Sequence, residues 1–212
     1  IAGVLHYRVL KVCGMGESRV DSLIGDLINA HSNPTIGLLA SLDAVRIRIA
    51  ARAETIAAAN ALIDPVEAAI QARLGGLIMG KDDDTLEDVV NRLLCERGWT
   101  LAVFETETGG ALSQRLAAIH AASFAGARVV PHPNLEGVSP EDFGLDFAQR
   151  LLVEFKATCV LALIADSEAH RTAAVFVSPE GTKRWDIGYY GNAGRNQLRT
   201  SVVALEGVRR CL

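Results

Sequence analysis

Aromatic residues and long apolar runs are both scarce in this sequence of 212 residues. Phe, Trp and Tyr make up 5% of it, although 50% of the residues are hydrophobic, so the apolar fraction consists mainly of Ala, Val, Leu and Ile. A membrane-spanning helix needs about 20 consecutive apolar residues, and no segment approaches that length. The sequence therefore predicts a globular cytoplasmic protein with no membrane partner.

The sequence also lacks an excess of positive charge. Lys and Arg number 21 against 25 Asp and Glu, which gives a formal net charge of −4 at pH 7. Because binding to nucleic acid of any sequence depends on neutralising phosphates, this balance argues against a nucleic-acid partner. The mixed composition excludes a disordered chain, a collagen-like repeat and a coiled coil.

Cysteines are few and far apart. Cys13, Cys95, Cys159 and Cys211 do not stand near one another or near a histidine at the spacing of metal ligands. Asp82 to Asp84 form an acidic run, but three consecutive carboxylates point in different directions and suit a solvated hinge better than a cation site. The sequence predicts reduced, structural thiols and neither a metal nor another cofactor.

An initiator Met is absent from the start of the sequence. Ile1 stands just before a segment, Gly3 to Val12, that is typical of a strand. No basic and apolar leader with a cleavage site is visible. We therefore expect the sequence to be part of a longer protein.

The first part of the sequence predicts a small α+β domain over residues 1–82. After the first strand, the turn Gly14-Met-Gly16 leads into a helix with an apolar stripe, which ends before Pro34 because the residue preceding proline disfavours helix. Ala44 to Arg52 alternates apolar residues with arginines, as a half-exposed strand does. The predicted element order is β-α-β-β-α-β, with the remaining elements at Thr35 to Ala40, Thr55 to Leu74 and Leu77 to Met79.

Residues 83–212 predict a second domain of the α/β class. A polar stretch from Gly80 to Thr85 separates it from the first domain. Ser139 followed by Pro140 is typical of a helix start. The predicted helices are Leu86 to Arg97, Ala111 to His120, Ser139 to about Lys156 and Asn196 to Cys211. The predicted strands are Trp99 to Glu105, Ala127 to Pro131, Thr158 to Ala165, Ala173 to Ser178 and Arg184 to Tyr190.

The turn from Thr106 to Gly110 is a candidate ligand site. It follows a buried strand and opens a helix, whose first N–H groups carry partial positive charge, and two glycines allow an anion to approach closely. A tight turn without a ligand is the alternative interpretation. Arg195, near the start of the last helix, is a second candidate for phosphate binding, with pairing to Glu206 or exposure to solvent as its alternatives.

Two sets of residues resemble the CinA (competence/damage-inducible protein) family. Leu101 to Gly110 (LAVFETETGG) resembles the A-E-S-x-T-G-G strand and turn of the CinA C-terminal domain, and Val9 to Ser18 with Asn33 to Thr35 is similar to the KH-like linking domain. The resemblance implies a KH-like module followed by a three-layer α/β domain of the nicotinamide mononucleotide (NMN) deamidase type. It further implies a homo-oligomer, an NMN-like pyridine nucleotide as ligand, and the absence here of the family's N-terminal molybdopterin-binding-like domain.

The resemblance also implies a set of site residues. Ser123 stands for the family's serine nucleophile and His132 for an assisting tyrosine, while Gly137 occupies the position of an assisting lysine. The family's Gly-Pro loop is replaced by Leu163 to His170. The implied substrate-binding residues are Glu105, Thr106, Thr108, Gly109, Gly110, Asn134 and Arg195.

These departures bear directly on catalysis. A serine hydroxyl needs a nearby base, and Gly137 supplies none. His132 is the remaining candidate base, or else a surface residue in an extended loop between two prolines. We therefore predict a catalytically degenerate domain retained for nucleotide binding or assembly. The alternatives are an active amidohydrolase that uses Ser123, and a nucleic-acid-binding module in the first half, where Arg46, Arg48 and Arg52 form a basic face.

Overall fold

The computed structural model describes residues 3–30, 32–41, 43–106, 108–131, 133–135, 137–189 and 191–212. The chain divides into two compact units, Ile1–Thr85 and Leu86–Leu212. Within the described residues, no helix is long and apolar enough to cross a membrane.

The first unit is a four-stranded antiparallel sheet with two helices on one face. The strand order is β2-β3-β1-β4, and the element order confirms the predicted β-α-β-β-α-β sequence. Buried apolar side chains from both helices pack against one face of the sheet. The elements are β1 (Val4–Val12), α1 (Glu17–Ala30), β2 (Thr35–Ala40), β3 (Val45–Ala53), α2 (Ile56–Leu74) and β4 (Ile78–Lys81), with a short 3₁₀ turn at Gly75–Leu77 before β4.

Strand β3 shows why the helices cover only one face. Ile47, Ile49 and Ala51 are fully buried, whereas the alternate residues Arg46 and Arg48 are exposed. Because successive strand side chains point to opposite faces, the apolar set faces the helices and the arginines face away. This alternation confirms the predicted half-exposed strand.

The second unit is a three-layer α/β structure. Its five-stranded sheet has the order β6-β5-β7-β8-β9, in which β5, β6 and β7 are parallel and β8 is antiparallel to both of its neighbours. Its elements are α3 (Leu86–Glu96), β5 (Leu101–Glu105), α4 (Ala111–Ala118), β6 (Phe124–Val129), α5 (Pro140–Glu154), β7 (Cys159–Asp166), β8 (Arg171–Ser178), β9 (Gly181–Gly188) and α6 (Ala193–Cys211). This architecture confirms the predicted fold class.

The two faces of this sheet carry different helices. Helix α5 packs on one face, where Phe104 of β5 lies against Phe147, with 4.4 Å between the ring centroids. The side chains that alternate with this set point to the opposite face, which α4 and α6 contact. Trp185 of β9 lies on that side against Gly207 of α6. The central strands β5 and β7 are therefore buried on both faces, which explains their continuous apolar runs.

Two predicted boundaries need correction. Helix α6 begins at Ala193 and not at Asn196, because the side chain of Asn192 accepts a hydrogen bond from the Arg195 N–H and caps the helix. Strand β6 begins at Phe124 and not at Ala127. By contrast, Ser139 caps α5 with Pro140 in its first turn, as predicted.

Candidate functional site at the carboxyl edge of the second sheet

The second sheet has one edge at which several loops and two helix starts meet. Strands β5, β6 and β7 are parallel, and β9 runs in the same direction as β7 because both are antiparallel to β8. The carboxyl ends of these four strands therefore share one edge, where α4 and α6 also begin. Helix α4 connects β5 to β6 on one face of the sheet, and α5 connects β6 to β7 on the other face. The strand order therefore reverses beside β5, and open α/β sheets bind ligands at such a topological switch point.

Thr106, the residue after β5, is hydrogen-bonded to β7. Its backbone N–H donates to the Leu163 carbonyl at 3.1 Å, and its Oγ1 accepts from the Ala165 N–H at 2.8 Å. The residue is fully buried. The hydroxyl that stands where the family pattern has a serine is thus committed to a backbone hydrogen bond.

Glu105 occupies the start of α4. Its two carboxylate oxygens accept hydrogen bonds from the N–H groups of Leu112 at 3.0 Å and Ser113 at 2.8 Å, and the residue is fully buried. A carboxylate at this position satisfies N–H groups that lack a partner within the helix and interacts favourably with the helix dipole. The anion at the amino end of α4 is therefore the protein's own Glu105 carboxylate and not a ligand.

Gly109 and Gly110 shape the same turn. Their φ angles of 61° and 94° lie in the left-handed region, where a Cβ is disfavoured. Gly110 is also the residue that precedes α4. Both glycines are thus required by the backbone path of the turn.

Three buried threonine hydroxyls lack a hydrogen-bond partner among the described residues. They belong to Thr108 in the β5–α4 turn, Thr172 in β8 and Thr200 in α6, each no more than 3% exposed. Thr172 pairs with Ala165, the residue bonded to Thr106, and so lies on the α6 side of the carboxyl edge. Buried polar groups normally find partners, and Thr108 and Thr172 place two such hydroxyls at this edge.

Arg195 and Asn134 also follow strands at this edge. Arg195 lies exposed in the first turn of α6, while Glu206 pairs with Arg209 and Arg210 instead. Asn134 is exposed in the segment after β6. The structure therefore places the β5–α4 turn, Asn134 and Arg195 at one edge. His132, the candidate base, lies outside the described residues.

Ser123 lies at the opposite end of the sheet. Its carbonyl accepts from the N–H of Leu101, the first residue of β5, whereas Glu105 is the last. Four residue-to-residue steps along β5, about 13 Å, separate these two ends. The hydroxyl is buried and donates to Asn91 Oδ1 at 2.8 Å, and the same oxygen accepts the Ser123 N–H at 3.0 Å. The structure does not bring this serine to the carboxyl edge.

An ion cluster occupies the α5 side of the carboxyl edge. Arg171 at the start of β8 pairs with Glu141 at 2.6 Å, with Asp166 at 3.0 Å and with Asp186. The hydrogen bond to Glu141 raises the pKa of Arg171 above its usual range, and it holds the pKa of the Glu141 carboxyl below its ordinary value. With three carboxylates around it, this guanidinium is unavailable to a phosphate.

Sequence reasoning missed Asn91, Thr172, Thr200 and the Arg171 cluster. The roles of these residues depend on strand register and topology, which bring together residues far apart in the sequence. Asn192 had a local signal, since asparagine before a helix is a preferred cap. Within the described ranges, no group of three or more His, Cys, Asp or Glu side chains is placed to hold a metal ion.

Comparison with known proteins supports one family. Residues 7–80 match the family model described as the damage-inducible protein CinA KH domain. A CinA-like protein of Thermomicrobium roseum is 39% identical over 174 residues, which is 81% of this chain and 42% of that protein. A putative competence-damage inducible protein of Geobacillus kaustophilus is 45% identical over 119 residues, 56% of this chain and 29% of that protein.

Solved structures share the fold. The competence damage-inducible protein A of Klebsiella pneumoniae aligns with a TM-score of 0.53 at 20% identity, over 59% of this chain and 93% of that one. A competence or damage-inducible protein of Enterobacter asburiae aligns with a TM-score of 0.52 at 17% identity, over 61% and 99% of the two chains. The present chain spans about two fifths or less of the curated relatives it matches. Residues 7–80 therefore match the KH domain of CinA proteins, and the chain is similar over most of its length to a CinA-like protein.

Proposed function

We propose that the second unit is a CinA-type domain that binds a pyridine nucleotide such as NMN but does not hydrolyse it. The observation that carries this proposal is the separation of Ser123 from the carboxyl edge. A nucleophile must lie within reach of the bound substrate, and this serine lies at the other end of the sheet.

The surroundings of Ser123 support the loss of chemistry. Deamidation adds water to the carboxamide and releases ammonia, leaving a carboxylate, and a serine that begins this reaction must give its proton to a base. The hydroxyl of Ser123 donates to Asn91, whose amide oxygen is not a general base at neutral pH. At the carboxyl edge, Thr106 is bound to the backbone of β7.

Nucleotide binding is supported by the α6 side of the edge. The amino end of α4 holds the carboxylate of Glu105, whereas the amino end of α6 carries only the neutral cap of Asn192, so α6 is the better place for a phosphate. A Cβ added to Gly194 would meet nothing within 4 Å, and Arg195 beside it is exposed. The unpartnered hydroxyls of Thr172 and Thr200 lie on the same side of the sheet and supply polar partners for the rest of the ligand.

Ammonia release tests the loss of catalysis. The chain and its Ser123→Ala variant are incubated with NMN, and we expect neither to release ammonia above the rate without protein. Turnover by the chain that the Ser123→Ala variant lacks would overturn this part of the proposal and establish the active amidohydrolase.

Thermal unfolding tests binding. A ligand that binds only the folded state raises Tm as its concentration rises, so NMN should raise Tm of the chain. Arg195→Gln should reduce the shift, whereas Arg19→Gln, an exposed arginine of α1, should leave it unchanged. A flat response to NMN, or equal shifts in the two variants, would contradict binding at the start of α6.

A further inference from the structure

The first unit exposes one whole face of its sheet, which we call the open face. It comprises the odd-numbered residues of β1 from Leu5 to Lys11, those of β2 from Thr35 to Leu39, and the even-numbered residues of β3 from Arg46 to Arg52, as the strand register shows. Helices α1 and α2 pack on the other face. None of these strand residues on the open face is acidic.

The charged strand residues of the open face are three arginines and one lysine. Among the described residues, no carboxylate lies within 4.0 Å of the guanidinium of Arg46, Arg48 or Arg52. Arg46 stands directly opposite Lys11 on β1, and like charges in that position destabilise a sheet. Arg8 shows the contrast, since it points to the helix side and pairs there with Asp64 and Glu67 of α2.

The open face also presents aromatic and apolar surface. Tyr7 is 52% exposed, and the Arg48 guanidinium lies over its ring, 4.5 Å from the centroid. Leu39 is 63% exposed. Tyr7, Leu39, Arg46 and Arg48 line a groove of about 450 Å³ that runs across β1, β3 and β2. The groove thus combines two arginines with an aromatic ring, and Arg48 covers one face of that ring.

We propose that the open face binds single-stranded nucleic acid. Arg46 and Arg48 are two residues apart on β3, and Arg52 is four residues further along the same face. Arg46 and Arg48 are therefore about 6.6 Å apart along the strand, a distance comparable with the spacing of successive phosphates in an extended single strand. Proteins that bind single strands combine such a cationic track with an aromatic residue on which bases stack, the role assigned to Tyr7. This site lies on the face of the sheet, whereas nucleic-acid-binding KH modules hold the strand with a GXXG loop. The glycine turn Gly14-Met-Gly16, between β1 and α1, is not part of the proposed site.

The acidic charge of the whole chain, which by itself argues against a nucleic-acid partner, does not describe the open face. The formal net charge of −4 averages over surfaces that differ in sign. Asp82 and Asp83 line a second groove, beside β1 and β4, which also contains Lys11 and Lys81 and shares Tyr7 and Arg46 with the first. An anionic strand is therefore directed along β3 and toward β2, away from the acidic run.

The test is binding of fluorescein-labelled oligothymidylate to the full chain by anisotropy. We compare Arg46→Gln/Arg48→Gln/Arg52→Gln with a control of equal charge change, Arg19→Gln/Arg73→Gln/Arg150→Gln, whose arginines lie on helices. The first variant should lose at least about tenfold in affinity and reduce the log–log salt slope by about 2, since each single-strand phosphate contact contributes about 0.7. The control should bind as the unaltered chain does.

Further arms separate the classes of ligand. Tyr7→Leu keeps an apolar strand residue but removes the stacking ring, and should weaken binding about fivefold or more. Equal binding by both arginine variants would overturn the proposal. So would duplex DNA or polyglutamate competing as well as the single strand, the latter indicating an acidic protein partner. Because the proposed site lies in the first unit, failure of oligothymidylate binding is distinguishable from failure of NMN binding by the second.

Discussion

At the residue scale, the carboxylates around the carboxyl edge have distinct roles. Glu105 is bonded to backbone N–H groups and fixes the start of α4, whereas Glu141 shares Arg171 with two aspartates. Both arrangements satisfy charges internally. A nucleotide phosphate therefore depends on groups that remain accessible, of which Arg195 is the cation best placed at the start of α6.

The Glu141–Arg171 pair makes a pH-dependent contribution to stability. Contact with Arg171 holds the pKa of Glu141 below its ordinary value of 4.5, so the folded chain favours the carboxylate more than the unfolded chain does. The contribution is fully present above the unfolded pKa and is lost as the pH falls through the lower folded pKa. We expect the difference in free energy of unfolding between the chain and Glu141→Gln to shrink on acidification.

Urea unfolding across the acid range measures this difference. Glu154→Gln is the matched control, because Glu154 and Arg128 form a pair that is 40% and 49% exposed and contributes little. A difference for Glu141→Gln that stays constant from neutral to acid pH would contradict the linkage.

At the element scale, α6 combines a tight packing contact with an open start. A Cβ on Gly207 would lie 2.3 Å from the Trp185 ring of β9, whereas a Cβ on Gly194 would meet nothing. Gly207→Ala should therefore destabilise the chain by about 1–3 kcal/mol through overpacking. Gly194→Ala should leave stability unchanged or raise it by up to about 1 kcal/mol, since alanine favours helix.

Chemical unfolding of the two variants decides the point. The substitutions are identical in chemistry and lie on the same helix, so propensity alone predicts the same sign for both. If Gly207→Ala were as stable as Gly194→Ala, the close contact between Gly207 and Trp185 would be contradicted.

The elements themselves were largely predictable from sequence, for reasons that differ among them. The alternation of Arg46 and Arg48 with Ile47 and Ile49 identifies a half-exposed strand without any tertiary information. The position of Ser123 was not predictable, because it depends on β6 pairing in parallel beside the first residue of β5. A motif match places a residue in the sequence but not at a given end of a sheet.

At the scale of the whole molecule, charge and core are both local properties. The acidic total of the sequence hides an open face whose strand residues include no carboxylate. The apolar core is likewise local, since one buried cluster draws its residues from Leu10 to Leu74 and another from Ala102 to Val175. Averages over the chain therefore describe neither unit.

Separate cores predict separate folding. Each unit has a size at which single domains fold alone, so fragments ending at Thr85 and beginning at Leu86 should each unfold cooperatively in circular dichroism. The second fragment should retain the NMN-dependent rise in Tm, and the first should retain oligothymidylate binding. A second fragment that folds but no longer responds to NMN, while the full chain does, would contradict a nucleotide site contained in the second unit. Binding of the oligonucleotide by the second fragment instead of the first would place the cationic site elsewhere than on β3.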